Sequence, residues 1–325
     1  MLYGGIDEAG YGPMFGPLCA GVAVFEIPDL ADGALPCLWQ TLDRVVVRGR
    51  RDTRDRIAVN DSKKLKGSHG KAHPLTWLER GVLTFASTIE ENGHWLDALD
   101  DQHLLDTLGI EPIHGQWYNS TTDLPLGRTV EQLRIDRNRL CRCFDDAQMR
   151  CVWVGGRAIG AAEFNQRVET AGSKAIVNWE QILALIERCW IRADGRPLIL
   201  AIDRQGGRMR YLEDLGIAWP SANRRVMTET PEASHYILSL QGRGPLELRF
   251  EAQADQRHLP VALASMTAKY ARELLMLRLN RFFMSHLPDL APTAGYVQDG
   301  RRYLREIEPV IETTGITVQD LVRSC

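Results

Sequence analysis

The chain has 325 residues, 44% of them hydrophobic and 25% charged, with a formal net charge of −3 and a sequence pI near 6.3. That length can bury a large core in one big domain or two small ones, and the mild acidity excludes a uniformly basic, non-specific nucleic-acid binder while leaving room for a local basic groove. No stretch reaches the ~18 uninterrupted apolar residues of a membrane helix, and the seven cysteines include no CxxC pair, so reduced thiols, a cytoplasmic location and no membrane association are expected.

In chain order, Leu2 to Ile6 reads as a short strand running into Asp7-Glu8-Ala9-Gly10-Tyr11-Gly12-Pro13, a turn rich in Gly and Pro. Leu18 to Ile27 reads as a second strand, and the spacing favours a hairpin whose turn bears the acidic pair. Arg44 to Arg56 carries six arginines. It reads first as a solvated face and second as a phosphate-contacting patch. Asn60 to Leu65 leads a loop into a helix. Trp77 to Thr88 fits helix or strand, His94 to Leu108 an acidic helix, and Gln116 to Leu126 a polar loop. Val130 to Cys143 fits a helix with Val130, Leu133 and Leu140 on one side, and Met149 to Val154 a strand. The Cys141-Arg142-Cys143 spacing is too short for a usual zinc knuckle.

Ile176 to Trp190 is an amphipathic helix, and Pro197 to Asp203 is a buried-type strand ending in an acid. Helix, strand, then acid fits an α/β layer. After a loop at Arg204 to Arg208, Tyr236 to Leu240 and Leu246 to Ala252 pair as strands around Gly242 to Pro245. Val261 to Phe283 is a long helix and Arg301 to Ile311 a shorter one.

Asp7 and Glu8 follow one apolar strand and Asp203 ends another, and groups at the carboxyl ends of strands in α/β sheets gather in one crevice. On the long helix, at ~100° per residue, Ser265, Lys269, Arg272 and Glu273 share one arc. That polar stripe either faces solvent or reaches the strand-end acids. Converging carboxylates suit hard cations with oxygen ligands, such as Mg²⁺ or Mn²⁺. Two such ions can activate a water and neutralise the leaving oxygen of a phosphodiester. No HExxH, no GxxxxGK[ST] and no strand-linked GxGxxG occurs.

Several segments together resemble the type 2 ribonucleases H (ribonuclease HII). Gly5 to Pro13 followed by Gly16-Pro17 is similar to that family's DEAGRGP opening, and Asp61-Ser62-Lys63-Lys64-Leu65 is identical to its DSKKL segment. Ala264 to Glu273 resembles its ASIxAKxxRD helix, Ala254-Asp255 its AD, and Gly295-Tyr296 its GY. The resemblance covers roughly residues 1 to 30, 58 to 66 and 176 to 305. It implies one ribonuclease H-like α/β domain over 1–325, a central mixed sheet flanked by helices, with a large insertion at about 67–175 after DSKKL.

Residue by residue, the resemblance makes Asp7, Glu8, Asp203 and Glu273 the catalytic, metal-holding acids, with Glu273 where the family has Asp. It places Gly10, Tyr11, Gly12, Lys63, Lys64, Ser265, Lys269 and Tyr296 at the nucleic-acid substrate. Tyr11 stands where the family has Arg or Lys, and Arg301 where a His is common. The implied activity is metal-dependent hydrolysis of RNA in RNA–DNA hybrids, or at ribonucleotides embedded in DNA, leaving a 5′-phosphate, by a monomer. A non-catalytic nucleic-acid-binding homologue and a ribonuclease H-like nuclease with another nucleic-acid substrate stay open.

Overall fold

The computed structural model describes residues 1–29, 34–67, 72–89 and 95–324. The chain begins with strands β1 (Leu2–Ala9) and β2 (Leu18–Glu26), the expected hairpin, then a short helix α1 (Leu38–Thr41). Two short strands, β3 (Val46–Val47) and β4 (Ile57–Ala58), precede helices α2 (Ser62–Leu65), α3 (Thr76–Ser87), α4 (Asp101–Thr107) and α5 (Val130–Asp146). Strand β5 (Arg150–Ile159), helices α6 (Ala161–Ala171) and α7 (Lys174–Arg192), strand β6 (Leu198–Asp203) and helix α8 (Leu212–Ala218) follow. Strands β7 (Asn223–Glu229), β8 (Ala233–Ser239) and β9 (Leu246–Glu251) lead to α9 (Ala254–Arg257) and the long α10 (Leu259–His286). The helices α11 (Val297–Glu306), α12 (Glu308–Thr314) and α13 (Val318–Leu321) close the chain.

The fold is α/β, with a mixed seven-stranded sheet ordered β5-β2-β1-β6-β9-β8-β7 and helices on both faces. β1, β6 and β9 run parallel, and the flanking pairs are antiparallel. Alternation along the strands divides the core in two. Tyr3, Ala23, Phe25 and Ala201 pack with α10 and α3, whereas Leu2, Ile6, Val22, Leu200 and Ile202 pack with α7 and α8. Strands covered on both faces read as continuous apolar runs, which is why Leu18 to Phe25 carries no polar alternation.

α10 lies directly on the hairpin because two glycines leave room for its backbone. A Cβ at Gly21 would stand 2.1 Å from the Ala264 carbonyl oxygen, and one at Gly5 2.2 Å from the Val261 amide nitrogen. Ser265, Lys269, Arg272 and Glu273 are all buried, so the polar stripe of α10 is not a solvent face. Two buried ion pairs tie the surrounding helices: Arg80 to Asp136 at 2.6 Å between α3 and α5, and Arg278 to Asp101 at 2.7 Å between α10 and α4.

The structure adds detail to several sequence expectations. Residues 67–175, expected as an insertion, supply β5, which pairs with β2 along its length as a strand of the central sheet. Trp77 to Thr88, ambiguous in sequence, is the helix α3. The acidic helix expected from His94 is a 3-10 turn at Trp95–Ala98 followed by α4; His94 itself lies outside the described residues. β7 carries no strand signal because it is the sheet's edge: five of its seven residues are exposed and none is fully buried, so no apolar alternation marks it. Cys141 and Cys143 are free thiols, as are Cys19, Cys37, Cys151 and Cys189; Cys325 lies outside the described residues. Among the described residues no helix is long and apolar enough to cross a membrane.

Candidate active site

The parallel register of β1 and β6 pairs Ile6 with Ile202, so the next residues, Asp7 and Asp203, stand side by side at the strands' carboxyl ends. Strand alternation places both on the α10 side and turns Glu8 toward α7. Gln253, held left-handed at φ 55°, then aims the start of α9 back at this point. The Ala254 amide donates to Asp203 Oδ1 at 2.9 Å, which brings Asp255 to the same place. The four acids line one cleft of about 420 Å³.

The carboxylates raise one another's pKa. Burial pushes Asp7 well above the usual carboxylate range, the charges of Glu8 and Asp203 push it further, and the Ser265 hydroxyl pulls the other way. Glu8 is raised by burial and by Asp203 against the Gln205 amide, which donates to its Oε2 at 3.0 Å. Asp203 is raised by burial and by Asp255, opposed by the Ala254 amide; Asp255 is raised by burial and by Asp61, opposed by Lys64. Acids held together at this cost are a common mark of a functional site.

Of the residues expected at the substrate, Gly10, Tyr11, Gly12, Lys63, Ser265, Lys269 and Tyr296 line the same cleft. Gly10 is left-handed at φ 88°, and a Cβ there would meet the Arg272 side chain at 2.7 Å. The turn is fixed from below. Arg272 Nη2 donates to the carbonyls of Phe15 at 3.0 Å and Ala294 at 3.2 Å, and Arg323 Nη2 donates to those of Gly10 and Pro13. Tyr296 presents a ring that is 54% exposed.

Two expected residues are elsewhere. Glu273 does not line the cleft: Lys66 Nζ contacts its Oε2 and Lys269 Nζ its Oε1, each at 2.8 Å, with Arg272 3.6 Å away. Burial alone would raise its pKa, yet the two ammonium groups hold it below the usual range. Its carboxylate is thus paired with two ammonium groups. Lys64 is exposed on α2 outside the cleft lining.

Sequence reasoning missed Asp255 and Asp61, both in the cleft wall. The Ala254-Asp255 pair was the available signal, but it precedes a helix rather than ending a strand. Two further partners had no local signal. Asn178, on α7, donates to Gln205 Oε1, backing the Gln205–Glu8 hydrogen bond. Lys174, at the start of α7, sets its ammonium 5.2 Å from the Tyr11 ring centroid.

Among the described residues no three His, Cys, Asp or Glu side chains are already drawn around one cation position. In donor type and charge, though, Asp7, Glu8, Asp203 and Asp255 fit a hard divalent cation, which their mutual repulsion would favour.

No family model and no curated protein matches the chain. Solved structures do overlay it. A ribonuclease HII from Archaeoglobus fulgidus, solved with PCNA, aligns at 14% identity and a TM-score of 0.41 over 99% of this chain and 93% of its own. The ribonuclease H2 of Pyrococcus horikoshii OT3 aligns at 14% identity and 0.40, over 99% and 92%. Bst-RNase HIII in complex with Mn²⁺ aligns at 11% identity and 0.36, over 99% and 66%.

Proposed function

We propose that the chain is a metal-dependent endonuclease of the ribonuclease H type. It would hydrolyse RNA in RNA–DNA hybrids or at ribonucleotides embedded in duplex DNA. The observation that carries this reading is the meeting of Asp7, Glu8, Asp203 and Asp255 in one cleft that is also lined by Lys63, Lys269 and the Gly10–Gly12 turn.

Asp7, Glu8, Asp203 and Asp255 would hold Mg²⁺ or Mn²⁺, which when bound supplies a nucleophilic water and neutralises charge on the phosphodiester. Around it the chain's own groups have separate work. Gln205, backed by Asn178, fixes the Glu8 carboxylate. Lys63 and Lys269 bring positive charge to a phosphate in the cleft. The backbone of the Gly10–Gly12 turn, held by Arg272 and Arg323, offers polar groups to a ribose 2′-hydroxyl, which is the group that separates RNA from DNA. The exposed Tyr296 ring offers a stacking face to a sugar or base.

In this reading Glu273 stays outside the metal site, paired with Lys66 and Lys269. The test is a panel of labelled duplexes: DNA, RNA, hybrid, and DNA with one ribonucleotide, each with Mg²⁺ or Mn²⁺. Cleavage of the last two alone, leaving 5′-phosphate ends and abolished in Asp7→Asn, is the expected result. Equal cleavage of plain DNA would redirect the reading to another nuclease, and binding without cleavage to a non-catalytic homologue.

A further inference from the structure

The segment between β3 and β4 carries an arginine run that the cleft does not use. Its acids are already engaged: Asp52 pairs with Arg56 at 2.7 Å, and Asp55 pairs with the buried Arg80 at 2.7 Å. Arg48, Arg50, Arg51 and Arg54 are exposed, and among the described residues none of them forms a salt bridge, Asp52 being taken by Arg56 and Asp55 by Arg80. On a chain of net charge −3 this is a concentrated local excess of positive charge.

The run is anchored to the cleft wall. Arg48 Nη1 donates to the carbonyl of Gln256, a cleft-lining residue, at 2.6 Å, and its guanidinium lies 3.6 Å from the Trp39 ring centroid. The Asn60 amide donates to the Arg48 carbonyl at 2.7 Å, while Asn60 Oδ1 accepts from the Asp61 amide at 2.8 Å. Asp61 in turn caps α2 by accepting from the Lys63 amide at 2.9 Å. A continuous set of contacts thus leads from Lys63 in the cleft, through Asp61 and Asn60, to Arg48 and out along the exposed arginines. A guanidinium stacked on a tryptophan and tied to a carbonyl is pre-oriented, and it keeps further N–H donors for an incoming phosphate.

We infer that Arg48, Arg50, Arg51 and Arg54 form a second binding surface, which grips the phosphodiester backbone of a duplex beyond the cleavage site. This rests on the nuclease reading and gives it a direction: the duplex leaves the cleft past Lys63 and runs over the β3–β4 loop. Binding should then be far more salt-sensitive than contacts within the cleft alone allow, because each neutralised phosphate releases counterions.

The test is the affinity of a fluorescent RNA–DNA hybrid, without divalent metal, across a salt series. It compares wild type, Arg50→Gln with Arg51→Gln, and a charge-matched control, Arg192→Gln with Arg225→Gln, on the far end of α7 and on β7. The first double variant should lose about 1 to 2 from the slope of log affinity against log salt, at roughly 0.9 per lost phosphate contact. The control should keep the wild-type slope, and thermal unfolding should coincide for all three. A first variant that keeps the wild-type slope, or a control that loses as much, overturns the arginine surface while leaving the nuclease reading intact. A wild type that binds no hybrid at any salt overturns both.

Discussion

Glu273 shows how far a helix pattern reaches. The wheel correctly groups it with Ser265 and Lys269, and the resemblance aligns it with an acid. Neither reveals Lys66, which arrives from 207 residues away to take its Oε2. Contacts of that range are set by tertiary packing. Asp255 is the reverse case: its motif is legible, but its role depends on the Ala254 amide turning back onto Asp203. Glu273→Gln should therefore cost stability, about 3 kcal/mol for leaving two ammonium groups beside a neutral amide, and leave metal dependence unchanged. Asp255→Asn should fold normally and lower the hydrolysis rate by roughly 100-fold or more. Denaturant melts and initial rates on the two variants separate these outcomes; the opposite pattern would restore Glu273 to the metal site. Tyr11 is a further departure with a local remedy. Its neighbour Lys174 puts a positive charge beside a turn that has none of its own. Lys174→Gln should raise KM for a duplex about fivefold, equivalent to ~1 kcal/mol, with kcat little changed. A fall in kcat with KM unchanged would place Lys174 in the chemistry instead.

At the level of elements, β1, β2, β6 and β9 were legible from apolar runs or alternation between turn signals, and α10 from a long stretch with no Gly or Pro after Pro260. β7 and α8 were not: an edge strand and a short helix with one buried residue carry little pattern. Within 67–175 the packing was not legible for a different reason. Lack of resemblance to a family says nothing about where a segment packs, and β5 packs in the sheet. The contact of α10 with the hairpin is the element-scale feature on which the site depends, since it carries Ser265 and Lys269 to the acids. Gly21→Ala would force a methyl to 2.1 Å from the Ala264 carbonyl, so helix and sheet must separate. The expected cost is about 3 kcal/mol or more, at the upper end of overpacking effects, with activity falling in the fraction that stays folded. A Gly21→Ala variant with wild-type melting would show that α10 does not rest on the hairpin as described.

For the whole molecule, the cleft is a place where stability is given up. Four acids whose burial and mutual charge oppose ionisation are held by a scaffold of three parallel strands and one buried helix. A ligand that binds only the folded state raises stability in proportion to RT ln(1 + [L]/Kd). Mn²⁺ at about 100 times its Kd should therefore add ~3 kcal/mol to unfolding, seen as a rise in Tm that Asp7→Asn abolishes and Glu273→Gln retains. An equal rise in wild type and Asp7→Asn would place the cation elsewhere.

The most direct measurement is a crystal grown with Mn²⁺ and examined for anomalous scattering. The account predicts density in the cleft, within coordination distance of Asp7 and Asp203 and shared with Glu8 or Asp255, while Glu273 stays between Lys66 and Lys269. Mn²⁺ density on Glu273, or none among the strand-end acids at saturating metal, would contradict it.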